Sequence, residues 1–150
     1  MVLIVDTGPL LAAIDRRDAH HDSCRDLLDQ FPEPVVVPAS VLVELDYLVR
    51  KRLPRHAHPA LLREITEGGL TVLELRREDY IRAREICTKY SDADIGLVDA
   101  SIVAIAERLK EPKIATLDHR HFRLIQPRHV DSLELLPHLT RFAPRRTLNS

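Results

Sequence analysis

Apolar residues along the chain come in short unbroken runs separated by segments of helical period, and that alternation predicts the architecture. The run Val2-Leu3-Ile4-Val5 suits a strand buried on both faces in the middle of a parallel sheet. Asp6-Thr7-Gly8-Pro9 ends it: Gly8 allows a tight turn, and Pro9 fits the first turn of a helix, where no N–H is needed. Residues 10–14 predict that short helix. Asp18 opens a second one with Leu27, Leu28 and Phe31 as its apolar contacts, and Pro32 and Pro34 stop it. Val35-Val36-Val37 is a second buried strand closed by Pro38. Ser40 is placed to N-cap a helix through Arg52, which Pro54 terminates. Pro59 starts another helix, ended by Gly68-Gly69. Residues 70–75 suit a third strand, and residues 78–90 carry helical spacing. The polar loop 91–96 leads into an amphipathic helix over 98–110. Residues 113–117 form the next buried strand, ended by Asp118, and 122–125 and 133–136 are weaker strand candidates. Strands alternating with helices over this length predict a three-layer α/β/α sandwich on a mainly parallel central sheet. One domain is expected over residues 1–137. The tail 138–150, with Arg141, Arg145 and Arg146, lacks a sustained apolar period and is expected to be mobile at its end.

Composition changes this picture little but excludes several classes. The length of 150 residues supports one domain with a real core. A net charge of -1 gives no global basic field, so affinity for nucleic acid would have to come from local arginines. Cys24 and Cys87 lack a partner spacing and read as reduced intracellular thiols. No apolar stretch reaches the roughly 18 residues of a membrane span. The amino terminus lacks a signal-peptide pattern, so a cytoplasmic location is expected.

The candidate chemistry lies in acids whose placements need explanation. Asp6 and Asp118 each follow a buried strand, so both should emerge at the same sheet edge, where open α/β sheets bind ligands. Glu44 shares a helix face with Val41 and Leu48, and a charge on such a stripe should face a cleft. Asp99 sits near the start of the helix carrying Ile102, Val103, Ala106 and Leu109. Plainer readings stand beside these. Asp6 and Asp99 read equally well as helix caps, and Asp118 as a turn residue neutralised by His119 and Arg120. Glu44 could pair with Arg16 or Arg50, and Asp94 reads best as a turn former. Ionised carboxylates crowded at one edge would raise one another's pKa, and a divalent cation removes that conflict. All-oxygen donors favour Mg²⁺ or Mn²⁺ over zinc. A hard cation in an acidic pocket suits phosphodiester hydrolysis.

The segments VLIVDTGPLLA, PASVLVELDYLV, GLVDASIVAIAERL and IATLDHRHF, in this order and spacing, resemble the PIN-domain ribonucleases. Within them they resemble the VapC-type toxins of bacterial toxin–antitoxin pairs, over nearly the whole chain. The resemblance implies that Asp6, Glu44, Asp99 and Asp118 are the metal-binding acids, with Thr7 and Thr116 as the hydroxyl residues beside them. It implies a compact α/β/α fold, often dimeric, that cuts RNA such as tRNA or ribosomal RNA and is blocked by a small antitoxin protein. Some members carry a further acid or hydroxyl after the last aspartate. Here His119, Arg120 and His121 stand there, which questions a complete second metal site.

On this reading the four acids hold one or two Mg²⁺ or Mn²⁺ ions, a metal-activated water attacks phosphorus in line, and Glu44 or Asp99 helps orient the water. Arg16, Arg17, Arg50, Lys51, Arg52 and Arg120 are candidates for RNA phosphate contacts, although solvated charge is the plainer reading of most of them. Aromatics are 4% of residues, so recognition should lean on shape and phosphates rather than base stacking. His119 and His121 are further phosphate candidates. An apolar groove near residues 41–48 and the early helices is expected to accept an antitoxin segment. Two rivals remain: a non-catalytic domain that keeps the scaffold, and a phosphatase with Asp6 as nucleophile, against which the missing second aspartate counts.

Overall fold

The computed structural model describes residues Met1–Leu139. The expected tail residues Arg141, Arg145 and Arg146 therefore lie outside the described residues. Five parallel strands form one sheet in the order β3-β2-β1-β4-β5. In chain order the elements are β1 (Leu3–Val5), α1 (Thr7–Ile14), α2 (His21–Gln30), β2 (Val35–Pro38), α3 (Ala39–Arg52) and α4 (Ala57–Thr66). They continue with β3 (Thr71–Leu73), α5 (Arg77–Lys89), α6 (Leu97–Leu109), β4 (Lys113–Ala115), α7 (His119–Leu124) and β5 (Glu134–Leu136). The chain steps outward from β1 to β3, then crosses back to β4 on the other side of β1. Right-handed connections running in opposite directions place their helices on opposite faces, which gives the three expected layers. Among the described residues no helix is long and apolar enough to cross a membrane.

The core explains why β1 is central. Leu3, Ile4 and Val5 are fully buried, and Ile4 sits level with Val36 on one side and Ile114 on the other. The helices contribute Val41, Leu45 and Val49 from α3, Ile86 from α5, and Ile102 and Ile105 from α6. Complete burial of such side chains stabilises by about 1.5–3 kcal/mol each relative to exposure.

Several local expectations are corrected. Residues 122–125 are not a strand: Phe122 closes onto the core from α7, and Ile125 follows that helix. A run of apolar residues too short to show its period reads alike in either form. Ser40 is not the cap of α3, because Pro38 holds that position and the helix starts at Ala39. Nor does Gly8 make a turn. It lies within α1, where an added Cβ would meet the Leu117 Cβ at 3.3 Å, so the glycine serves close packing. Asp18 precedes α2, which starts at His21, and its side chain accepts from the His20 N–H at 2.8 Å.

An unforeseen buried ion pair ties α5 to α6, the helix that carries Asp99. Asp79 is 1% exposed and accepts from Arg108 through Nε at 2.9 Å and Nη2 at 3.0 Å. It also accepts from the Arg76 N–H at 2.8 Å. Removing one partner of a buried pair costs about 3–5 kcal/mol, whereas an exposed pair is worth about 1 kcal/mol or less. Urea unfolding of Asp79→Ala should therefore show a large drop in midpoint. Arg25→Ala, which breaks the exposed 3.0 Å pair with Asp29, should barely move it.

Candidate active site

The strand order reverses between β1 and β4, and at such a switch point the loops after adjacent strands part and leave a crevice. Asp6 and Asp118 both arise there. The Asp6 N–H donates to the Ala115 carbonyl at 2.8 Å, which continues the β1–β4 ladder one residue past β1. Beyond it lies Thr116, fully buried, whose hydroxyl donates to Asp6 Oδ2 at 2.9 Å and accepts from the Asp118 N–H at 3.0 Å. One hydroxyl thus joins two acids 112 residues apart, since 118 − 6 = 112.

Each acid has a distinct anchor. Asp6 caps α1, accepting from the Thr7 N–H at 2.7 Å, so the cap and site readings of this residue coincide. Each of its oxygens accepts one hydrogen bond, which orients the carboxylate and leaves a further lone pair on each oxygen. Asp118 caps α7, with Oδ1 accepting from the His121 N–H at 3.3 Å. Asp99 is no cap: Gly96 fills that position and Asp99 stands in the first turn of α6. Ser40 of α3 and Ser101 of α6 meet through their hydroxyls at 2.8 Å, bridging the helices that carry Glu44 and Asp99.

Glu44 differs from expectation. It is exposed on α3, not enclosed by the apolar stripe of Val41 and Leu48. A helix face is wider than the line through i−3 and i+4, so residues in register with core positions still reach its rim. Its charge nevertheless acts on both Asp6 and Asp99. The proposed pairing with Arg50 is absent, because Arg50 lies 3.8 Å from Asp46 instead. Asp94 takes a left-handed backbone, φ 55°, at an exposed turn, in keeping with its reading as a turn former. The structure thus brings Asp6, Asp99 and Asp118 together, with Glu44 at the edge of their field.

Burial and crowding set the electrostatics. Burial pushes the Asp99 carboxyl up to about 7, with the charges of Asp6 and Asp118 adding and His121 opposing. Burial likewise raises Asp6, against the hydrogen bonds from Thr7 and Thr116. His121 moves up, chiefly through its Nδ1 contact with Asp118 Oδ2 at 2.6 Å. The i,i+3 spacing of Asp118 and His121 at a helix start could have exposed this contact, since a third-turn-position side chain returns toward the cap residue. Burial moves His119 down, and its Nε2 lies 3.0 Å from the Thr116 carbonyl.

The donor set fits a divalent cation. One ligand atom each from Asp99, Asp118 and His121 lies within 4.8 Å of the others. The buried Thr7 hydroxyl, next to Asp6, has no hydrogen-bond partner among the described residues, a rare condition for a group with one donor and two lone pairs. Of the candidate phosphate contacts, Arg17 pairs with Asp15 at 3.4 Å, and Lys51 lies 5.5 Å above the Tyr47 ring. Arg16, Arg52 and Arg120 are exposed.

A second feature lies away from the acids. A cleft of about 780 Å³ opens between α1–α2 and α3–α4, lined by Leu10, Leu28, Leu45, Ala57, Ala60 and Leu61, with Arg16, Arg17 and Arg25 also reaching it. Of the expected stretch 41–48, only Leu45 contributes.

Comparison with known proteins places this geometry. A profile of the PIN domain matches residues 3–126. The chain is 37% identical over 125 residues to Ribonuclease VapC26 of Mycobacterium tuberculosis, covering 83% of this chain and 93% of that protein. Among solved structures it is similar to VapC20 of Mycobacterium tuberculosis, described as a Sarcin-Ricin loop cleaving toxin. The TM-score there is 0.69 at 21% identity, over 76% of this chain and 87% of that one. It is also similar to VapBC2 of Rickettsia felis bound to a promoter DNA fragment, with a TM-score of 0.67 at 20% identity, over 91% and 100% of the two chains.

The charge arrangement gives a signed pH dependence. Asp99 binds its proton more tightly folded than unfolded, so its contribution to stability is present below about pH 4 and is lost as pH rises through about 7. The raised His121 acts in the same direction, and the lowered His119 opposes it. Metal-free protein should melt at a higher temperature at pH 5.5 than at pH 7.5. Asp99→Asn should raise the metal-free Tm at pH 7.5 by a few degrees and flatten that difference, as read by calorimetry.

Proposed function

The chain belongs to the PIN domain family, and from that premise we propose that it is a metal-dependent endoribonuclease, the toxin of a toxin–antitoxin pair. The observation that carries the reading is the convergence of Asp6, Asp99 and Asp118, with Glu44 in electrostatic reach, at the switch point of the sheet. On this reading these four residues hold one or two Mg²⁺ or Mn²⁺ ions. A bound ion of this kind lowers the pKa of a coordinated water and offsets the charge that builds on phosphate oxygens during hydrolysis.

The chain's own residues do the rest. Thr116 fixes Asp6 and the Asp118 backbone in one relation, so the carboxylates need not reorganise when substrate arrives. Asp6 and Asp118 cap α1 and α7 and Asp99 stands in the first turn of α6, so three helix N-termini bring partial positive charge to the acidic crevice. We assign Glu44, at the exposed rim, a share in orienting the water. Exposed Arg16, Arg52 and Arg120 are free to meet RNA phosphates. Support for an RNA substrate comes from the ribonuclease to which the chain is 37% identical.

The apolar cleft between α1–α2 and α3–α4 suits an amphipathic helix of a small antitoxin protein, with exposed Arg16 at its wall meeting an acidic residue on it. The working unit in this reading is a cytoplasmic homodimer. Exposed Val43 and Tyr47 on α3 supply apolar surface for self-association, and both cysteines are free thiols. The unit that folds is taken as residues 1–137.

Purified protein should cleave RNA in the presence of Mg²⁺ or Mn²⁺ and stop when a chelator is added. Asp6→Asn and Asp99→Asn should each lower the rate by at least about a hundredfold while keeping the native circular dichroism spectrum. Cleavage that persists in both folded variants would place the activity elsewhere. For the partner, Ala60→Arg, which puts a bulky charge at the cleft wall, should weaken antitoxin binding by calorimetry and leave RNA cleavage unchanged.

A further inference from the structure

The acids of the crevice are joined by a residue of another kind. His121 Nδ1 lies 2.6 Å from Asp118 Oδ2 and 3.7 Å from Asp99 Oδ2, so a ring nitrogen points between carboxylates supplied by two different elements. Its position is held from both sides. The His121 N–H donates to Asp118 Oδ1 at 3.3 Å, and the next residue, Phe122, is anchored in the core at 2% exposure. His119, one helical position before Arg120, is turned to the Thr116 carbonyl instead. The His121 Nδ1 faces inward, onto the oxygens that would surround a cation.

Building on the metal-site reading above, we infer that His121 is itself a metal ligand, making this a mixed oxygen–nitrogen site that selects Mn²⁺ over Mg²⁺. The chemistry follows from the donor set. Mg²⁺ is small, demands oxygen donors in near-ideal octahedral array and parts with water reluctantly, so an imidazole in place of an oxygen weakens its binding. First-row transition ions accept imidazole nitrogen, and among them Mn²⁺ best suits the remaining carboxylates. The same residue that questions an all-acid second site therefore gives the site its preference.

The test uses the full metal-free chain and Mn²⁺ or Mg²⁺ alone. Mn²⁺ binding is followed by the loss of the free-ion electron paramagnetic resonance signal, and pulsed spectra of the bound ion report nitrogen coupling. Wild type should show nitrogen coupling that His121→Ala loses. His121→Asp, which restores an all-oxygen set, should shift the Mn²⁺-to-Mg²⁺ affinity ratio toward Mg²⁺ by about tenfold or more. Wild-type spectra without nitrogen coupling, or an unchanged ratio in His121→Asp, would overturn the inference. Asp99→Asn separates the two levels. If it abolishes Mn²⁺ binding while nitrogen coupling is missing in wild type, the acidic site stands and only the role of His121 falls. If it binds Mn²⁺ as wild type does, both fall.

Discussion

Like charges held together at one sheet edge are the constraint on which this molecule turns. Asp6, Asp99 and Asp118 stand in one crevice, where burial disfavours ionisation of Asp6 and Asp99 and the charge of Asp118 adds to the difficulty for both. The fold relieves part of that cost with three helix N-termini and with the Thr116 hydroxyl. It does not relieve all of it, because the Asp99 carboxyl still titrates near neutrality. A structure that retains such a conflict is poised to bind a cation.

The conflict can be held only by a rigid frame. β1 is buried on both faces and clamped between β2 and β4, and its ladder with β4 runs on through the Asp6 N–H. Asp99 depends on α6, whose inner face is packed with Ile102, Val103 and Ile105 and whose far end is locked to α5 by the Asp79–Arg108 pair. Core packing and site geometry are therefore one problem: a shift of α6 by a fraction of a turn would move Asp99 out of the crevice. The apolar cleft on the α1–α4 side is lined in part by core residues, Leu10, Leu45 and Leu61 among them.

Much of the frame was legible along the chain. The unbroken run before Asp6 announced a central strand, and the acids after β1 and β4 followed from strands of one direction sharing a carboxyl edge. Where reading failed, the pattern was too short or the contact too distant. Phe122 and Ile125 lie in a stretch too brief to show a period, and Gly8 owes its identity to Leu117, more than a hundred residues away. Glu44 was placed on the right helix but with too much enclosure, since spacing reports an azimuth and not the depth of the neighbours that cover it.

By itself the sequence determined the parallel α/β architecture, the acids at the strand ends and the family to which they belong, because these depend on periodicity and on order along the chain. Only the tertiary structure decided which groups share a field: that Thr116 joins Asp6 to Asp118, that Asp99 is no cap, and that His121 turns its ring nitrogen onto two carboxylates. The Thr116–Asp6 and His121–Asp99 approaches cross elements far apart along the chain, and such distances have no counterpart in linear spacing; the His121–Asp118 contact is the local one among them.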